Sequence, residues 1–198
     1  MALANYSDLQ TAIANFINRD DLGTYIPDFI ALAESRIATD LETNELHTTT
    51  TLAISSGSEA LPANFKGLVR IKLNGTFPTL DYITPDSFHS RYASNFAGRP
   101  VSYTIEANTV YFAPTPDSSY TATYTYIAKP DLATDLTNRL MTINPNVYLF
   151  ACLMEAADFI GDDDAYFKYE GKYGSAINSL NSQDQVKGAL SIQLSDVP

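Results

Sequence analysis

The sequence predicts an α+β fold in which helices from the two ends of the chain form an antiparallel bundle, with a β-rich lobe inserted between them. Helical periodicity at both ends, β-rich segments in the middle, and a charge distribution that changes at the same places predict this fold. Residues 1–46 hold eight acidic and two basic residues, residues 47–143 hold seven of each, and residues 144–198 hold eight and three. We therefore expect a helical unit from 1–46 and 144–182, an insertion at 47–143 and a separate tail at 183–198.

Two helices are predicted before residue 46. Ser7 to Gln10 is typical of a capping box, and it opens an apolar face formed by Leu9, Ile13, Phe16 and Ile17. A second helix is expected from about Thr24 to Glu45, because Pro27 is tolerated in a first turn and an apolar stripe follows: Ile26, Ile30, Ala33, Ile37 and Leu41.

The insertion reads as short strands and one short helix. Thr48 to Ile54 and Leu68 to Leu73 are rich in β-branched residues, and Asn74-Gly75 predicts a tight turn that pairs Leu68–Leu73 with Thr76–Ile83. A short helix is expected over Pro85–Asn95. Three further strands follow, at Val101–Glu106, Thr109–Ala113 and Tyr120–Lys129.

The helical period returns at Asn144-Pro145, where an apolar helix is expected to run to about Ile160 and a fourth helix to span Tyr166–Leu180. In the tail, three aliphatic residues alternate as in a strand: Leu190, Ile192 and Leu194. Burial of three aliphatic side chains returns about 5–9 kcal/mol, which is less than the cost of ordering such a tail. We hypothesise that the tail orders on another subunit or partner, with these three residues at the interface.

Composition excludes several classes of protein. The 198 residues carry a net charge of −11, which repels phosphate backbones and argues against nucleic-acid binding. Cys152 is the only cysteine, so an internal disulfide and a multi-cysteine zinc site are excluded. No apolar run has the length of a membrane span, and the first residues lack the basic segment of a signal peptide. We expect a soluble protein made in the cytoplasm.

The residues that could support catalysis or metal binding do not form a recognisable constellation. His47 and His89 lie in different predicted elements, and Ser55–Ser58 lacks a nucleophile-elbow pattern. The carboxylates Asp162–Asp164 suit a helix N-terminus better than a calcium loop. Glu155 and Asp158 are spaced i, i+3, but no second carboxylate partner can be located. We predict no catalytic, cofactor-binding or metal-ligating residues, and interpret Lys66, Arg70 and Lys72 as a solvated strand face.

Several short strings, spread from residue 6 to about residue 180, resemble one family when taken in order. They are Tyr6-Ser-Asp-Leu-Gln10, Tyr25 to Ile37, Leu61-Pro-Ala-Asn-Phe65, Gly98-Arg-Pro100 with Tyr103–Glu106, Phe112–Pro116 and Leu149–Asp158. The chain resembles the head-to-tail adaptor proteins of tailed phages, namely the tail accessory or tail-tubular-A-like proteins of short-tailed phages.

The resemblance implies a structural virion protein, made in the host cytoplasm, that connects portal to tail. It further implies a ring of twelve copies that binds the portal protein and a tail nozzle or hub and extends the DNA channel. From the residues themselves we predict no cofactor and no enzymatic role. Two alternatives remain open. One is a carbohydrate- or surface-binding module that presents tyrosines of the β lobe: Tyr103, Tyr111, Tyr120, Tyr124 and Tyr126. The other is a cell-wall hydrolase that uses Glu155 or another carboxylate.

Overall fold

A computed structural model of the chain describes residues 3–41, 46–75, 79–94 and 96–195, with residue 20 and residues 184–195 as backbone only. It combines helices with β-strands, as the sequence predicts, and the strands form two sheets. The chain divides into two compact units. We call residues 1–46 and 129–198 the helical unit, and residues 47–128 the β unit.

The first two predicted helices are present. Helix α1 spans Tyr6–Ile17 and α2 spans Ile26–Asp40, with a short 3-10 segment between them. The cap of α1 differs from the prediction, because Asn5 and not Ser7 is the N-cap, and its Oδ1 accepts the backbone N–H of Asp8 at 2.9 Å. Helix α2 ends at Asp40. Residues 42–45, where its end was expected, lie outside the described residues.

The segment that follows the last strand differs from the prediction. Two short helices, α4 (Leu132–Asp135) and α5 (Arg139–Ile143), lie in the helical unit, whereas the sequence places residues 129–143 in the insertion. Each helix begins at a side-chain cap: Asp131 accepts from the amide of Thr134, and Asn138 from that of Met141. Helices of four and five residues are too short to show a periodic pattern.

Helix α6 spans Pro145–Ile160 and is the centre of the helical unit, where it contacts α1, α2 and the next helix, α7 (Asp163–Ser195). Most of its residues are buried, in agreement with its continuous apolar sequence. It ends at Gly161, whose φ of 71° is a left-handed conformation that favours glycine. Helix α7 follows over Asp163–Ser195.

The length of α7 corrects the interpretation of the tail. Its backbone continues as helix from residue 183 to residue 195, so the strand expected from the alternation of Leu190, Ile192 and Leu194 is wrong. Residues 196–198 lie outside the described residues. The proposed role of these three residues in a partner interface stays a prediction.

The β unit contains two sheets. In the first, β1 (His47–Ile54) and β3 (Phe65–Leu73) pair antiparallel with a central β7 (Tyr120–Ala128). The second has the order β2-β6-β5-β4, with β2 at Ser58–Ala60, β4 at Asp81–Tyr82, β5 at Ser102–Glu106 and β6 at Thr109–Ala113. Helix α3 spans Pro85–Arg91 and contacts β5. A shared core of aliphatic and aromatic side chains includes Ile54, Ile71, Leu73, Val110, Phe112 and Tyr124.

The hairpin predicted at Asn74-Gly75 forms only in part. Lys72 and Thr79 make a single antiparallel bridge, and the amide of Leu80 donates to the carbonyl of Ile71 at 2.9 Å. Asp81 and Tyr82 then join the second sheet, parallel to β5. Residues 76–78 lie outside the described residues. The main partner of β3 is β7, more than 45 residues further along the chain.

Candidate functional site

Glu34 on α2 is a half-buried carboxylate that holds the segment leading from the β unit into the helical unit. Its Oε1 accepts the backbone N–H of Leu132 at 2.6 Å, and Leu132 itself is fully buried. Burial raises the pKa of Glu34 to about 7; the neighbouring charges of Asp131 and Asp135 act in the same direction, and the hydrogen bond from Leu132 opposes them. Glu34 therefore changes its protonation state near neutral pH.

A second polar contact holds α5 against α6. The phenol of Tyr148, which is fully buried, receives a hydrogen bond at 2.6 Å from Nδ2 of Asn138, the same residue that caps α5. Burial raises the pKa of Tyr148 well above its ordinary value, so its hydroxyl stays protonated. Glu34 and Asn138 therefore tie the short helices to α2 and α6 by side-chain bonds.

Glu155, which the sequence offers as a candidate catalytic acid, lies in an ion pair between helices. Its Oε1 accepts from Nε of Arg36 at 2.7 Å, and its side chain is only 10% exposed. Burial by itself would lower the pKa of Arg36, but the hydrogen bond and charge of Glu155 raise it overall. A carboxylate already paired with a permanently charged guanidinium is poorly suited to donate a proton to a substrate.

Replacement of Arg36 by methionine is expected to lower the free energy of unfolding by about 1–2 kcal/mol, because it leaves the largely buried carboxyl group of Glu155 without its partner. The figure is below that for a fully buried pair, since the Arg36 side chain is 38% exposed. Urea unfolding of the purified variant measures it. The double variant R36M/E155Q is expected to recover most of the loss, and a double variant no more stable than R36M would contradict this account.

Helix α7 is tied to α2 by a third polar contact. The phenol of Tyr173, which is 5% exposed, donates to Oδ2 of Asp40 at 2.9 Å. Burial, together with the hydrogen bond to Asp40, raises the pKa of Tyr173 well above its usual range. Arg36 and Asp40 lie one turn apart on α2, so this helix face anchors both α6 and α7.

The other residues considered for catalysis stay apart. His89 on α3 is exposed and pairs with Glu106 across the β unit surface, and His47 begins β1. The thiol of Cys152 is fully buried, and burial raises its pKa well above the ordinary value, so it is not a reactive thiolate. Within the described ranges, no group of three or more His, Cys, Asp or Glu side chains is arranged to hold a metal ion.

The tyrosines proposed as a carbohydrate platform are mostly core residues. Tyr103, Tyr124 and Tyr126 are 7%, 2% and 6% exposed, so these three cannot present their rings to a sugar. A small cleft of the β unit, lined by Leu73, Asp81 and others, has a volume of about 140 Å³. Typical ligand pockets are larger, about 300–1,000 Å³. This correction removes the main sequence support for a glycan-binding module.

The helical unit exposes an aromatic cluster where α2 begins and α6 ends. The rings of Tyr25 and Phe159 lie 5.0 Å apart and are 44% and 55% exposed, and the buried Phe29 contacts Phe159 at 5.5 Å. Phe167, near the start of α7, is 66% exposed. Exposed aromatic side chains of this kind are common at protein–protein interfaces. The predicted apolar face of α1 had placed Phe16 in the core, yet this side chain is also half exposed.

The three-stranded sheet presents a contrasting surface. Arg70 and Lys72 are exposed on β3, and the sequence prediction of a solvated basic strand face agrees with their exposure. Their partners across the sheet are threonines of β7, namely Thr125 and Thr123. The exposed cations therefore stand on a threonine-rich sheet.

Comparison with known proteins identifies a family for this chain. Residues 4–193 match the model of a family described as SU10 adaptor protein. The matched region includes both the helical unit and the β unit. No curated protein matches the chain. None of the helices in the described ranges has the length and apolar character that crossing a membrane requires.

Proposed function

The chain belongs to the SU10 adaptor protein family, a family of phage head-to-tail adaptors, and from this premise we propose that it forms a ring that connects the portal to the tail and extends the DNA channel. The observation that carries the proposal is the extent of the match, residues 4–193. A match across both units supports a role for the whole chain, and not only for one domain of it. The ring, twelve copies by the resemblance described above, would be a component of the virion.

The charge of the helical unit supports a role as a channel wall. Its residues include eighteen acids and seven bases, which accounts for the whole net charge of −11. Negative charge opposes adhesion of phosphate backbones, so a wall of such helices would let DNA pass without holding it. In this proposal, the antiparallel bundle expected of the terminal helices forms the wall.

The proposal assigns binding and not catalysis to this protein. Glu155 is engaged by Arg36, and the described titratable residues form no metal centre. The partners are the portal protein on one side and a tail nozzle or hub on the other. We further propose that the C-terminal part of α7, with Leu190, Ile192 and Leu194, contributes to one of these contacts.

Mixing the purified protein with portal rings of the same phage is expected to produce a stoichiometric, symmetric complex, measured by electron microscopy and sedimentation. Replacement of Leu190, Ile192 and Leu194 by serine is expected to weaken this complex, whereas replacement of the exposed Leu32 by serine serves as a matched control on another helix. Absence of any complex with the unaltered protein would contradict the adaptor proposal. Saturable binding of glycans, or peptidoglycan cleavage that disappears in Glu155→Gln, would favour the alternatives.

A further inference from the structure

Charge is segregated within the β unit as well as between the units. The β unit contains five acidic and five basic residues, so its net charge is zero. The three strands β1, β3 and β7, however, contain no aspartate or glutamate, and β3 contributes three cations: Lys66, Arg70 and Lys72. The three-stranded sheet is therefore positively charged in a chain whose net charge is strongly negative.

The register of this sheet places two of the cations on one face. Residues directly opposite each other in neighbouring strands share a face, and successive residues alternate between faces. Ile71 and Leu73 of β3 are buried in the core. Arg70 and Lys72 alternate with them along the strand and therefore lie on the opposite face. Thr125 lies between Arg70 and Thr49, and Thr123 lies between Lys72 and Thr51. Two rows of one cation and two threonines therefore cross the three strands.

These two cations are available to a partner. Arg70 and Lys72 are exposed, and neither forms an ion pair with any residue in the described part of the chain. Val69, at the bulge beside Arg70, is 42% exposed and adds apolar surface. We call Thr49, Thr51, Arg70, Lys72 and Thr123 the cationic sheet face.

We propose that the cationic sheet face docks onto the acidic helical unit of a second copy of this chain. This inference rests on the proposed ring and names the surfaces that would join its subunits. Charge complementarity supports the occupant, because the helical unit of each copy carries the entire negative excess of the chain. A contact between two different surfaces of identical subunits is heterologous. Such contacts form a closed ring when the rotation that relates neighbouring subunits returns to the first subunit after a full turn.

A second copy fits this face better than a nucleic acid does. Two cations neutralise few phosphates, so the counterion release that drives binding to DNA is small. A nucleic acid would also meet the repulsion of a chain with a net charge of −11. Acidic protein side chains, in contrast, can pair with arginine and lysine one at a time.

Zero-length carbodiimide cross-linking tests the proposal, because it joins an amine to a carboxylate in direct contact. The protein, mixed from ¹⁴N and ¹⁵N batches at about 1 mM and low salt, would be cross-linked and its peptides analysed by mass spectrometry. At this concentration a contact with a dissociation constant of about 1 mM is formed at about two fifths of the sites. We expect mixed-isotope peptides that join Lys72 to carboxylates of the helical unit. Their yield is expected to fall at least about tenfold in R70E, which keeps the Lys72 amine but reverses the neighbouring charge.

Two variants serve as controls. Lys72→Arg keeps the charge but removes the reactive amine, so it is expected to abolish these peptides. Arg91→Gln removes an exposed cation of α3, outside the sheet, and is expected to leave the yield unchanged. The proposal is overturned if Lys72 is cross-linked only to carboxylates of its own copy, or if R70E leaves the yield of mixed-isotope peptides unchanged. It is also overturned if the protein binds duplex DNA in a gel-shift assay and R70E abolishes this binding. A portal complex that still forms in R70E with other copy-to-copy cross-links would refute this interface and leave the adaptor proposal intact.

Discussion

Replacement of Ile30 by alanine is expected to lower the free energy of unfolding of the helical unit by about 2–5 kcal/mol. Ile30 lies on α2, is 1% exposed, and belongs to the helix face that packs against α6. Truncation removes three buried carbon atoms and leaves a cavity that the surrounding helices can only partly fill. Urea unfolding followed by far-UV circular dichroism, which is dominated by the helices, measures the loss.

Leu32 provides a matched control on the same helix. Its side chain is 55% exposed, so Leu32→Ala is expected to change the free energy of unfolding by less than about 0.5 kcal/mol. Both substitutions introduce the same good helix former, which separates the effect of packing from that of helix propensity. Equal losses in the two variants would show that α2 does not pack in the way described.

Local patterns in the sequence predict helices α2 and α6 well, for a physical reason. The apolar stripe of α2 and the continuous apolar sequence of α6 each correspond to residues that are buried in the structure. Burial of an amphipathic face is what stabilises a helix in a folded protein, so this pattern is the cause of the structure and not only a correlate of it. Phe16 departs from the rule, since its side chain is 49% exposed although it lies on the predicted apolar face of α1.

Features that depend on distant residues were not predictable in this way. The Asn74-Gly75 turn favours a local hairpin, but β3 instead pairs with β7, whose alternating aromatic residues complete the core of the β unit.

In the tail, the alternation of three aliphatic residues indicated a strand, whereas the backbone there extends α7. Three residues are too few to distinguish alternation from chance spacing along a helix.

The candidate site depends even more on long-range contacts. Arg36 and Glu155 are 119 residues apart in the sequence, and Glu34 receives its hydrogen bond from a residue 98 positions away. Neither position shows a motif. For the cationic sheet face the sequence does contain an indication, since the three strand segments lack acidic residues. Which side chains share that face, however, depends on the register in which the strands pair.

Replacement of Glu34 by glutamine is expected to stabilise the protein above neutral pH by about 2–3 kcal/mol, and by less than about 1 kcal/mol near pH 5. In the folded protein the pKa of Glu34 is raised to about 7, so the folded state binds the proton more tightly than the unfolded chain does. This contribution to stability is fully present below the ordinary glutamate pKa, and it is lost as the pH rises through about 7. Glutamine remains neutral and therefore avoids the loss.

The surroundings of Glu34 explain why ionisation is costly and why glutamine should fit. Asp131 and Asp135 lie on the connecting segment, Tyr6 on α1, and Tyr148 and Cys152 on α6, and none of them supplies a positive charge. Glutamine keeps an oxygen that can accept the amide of Leu132, so the link between α2 and α4 is retained. Urea unfolding of both proteins between about pH 5 and 8.5 measures the difference.

The exposed Glu170 on α7 provides the control for this experiment, since Glu170→Gln removes the same charge from a solvated position. This variant is expected to change the free energy of unfolding by less than about 0.5 kcal/mol at every pH measured. Parallel stability curves for E34Q and the unaltered protein would show that Glu34 is ionised in the folded state at all of these pH values. Convergence at low pH and separation at high pH would instead identify the ionisation of this one carboxylate as the cause of the lower stability of the unaltered protein above neutral pH.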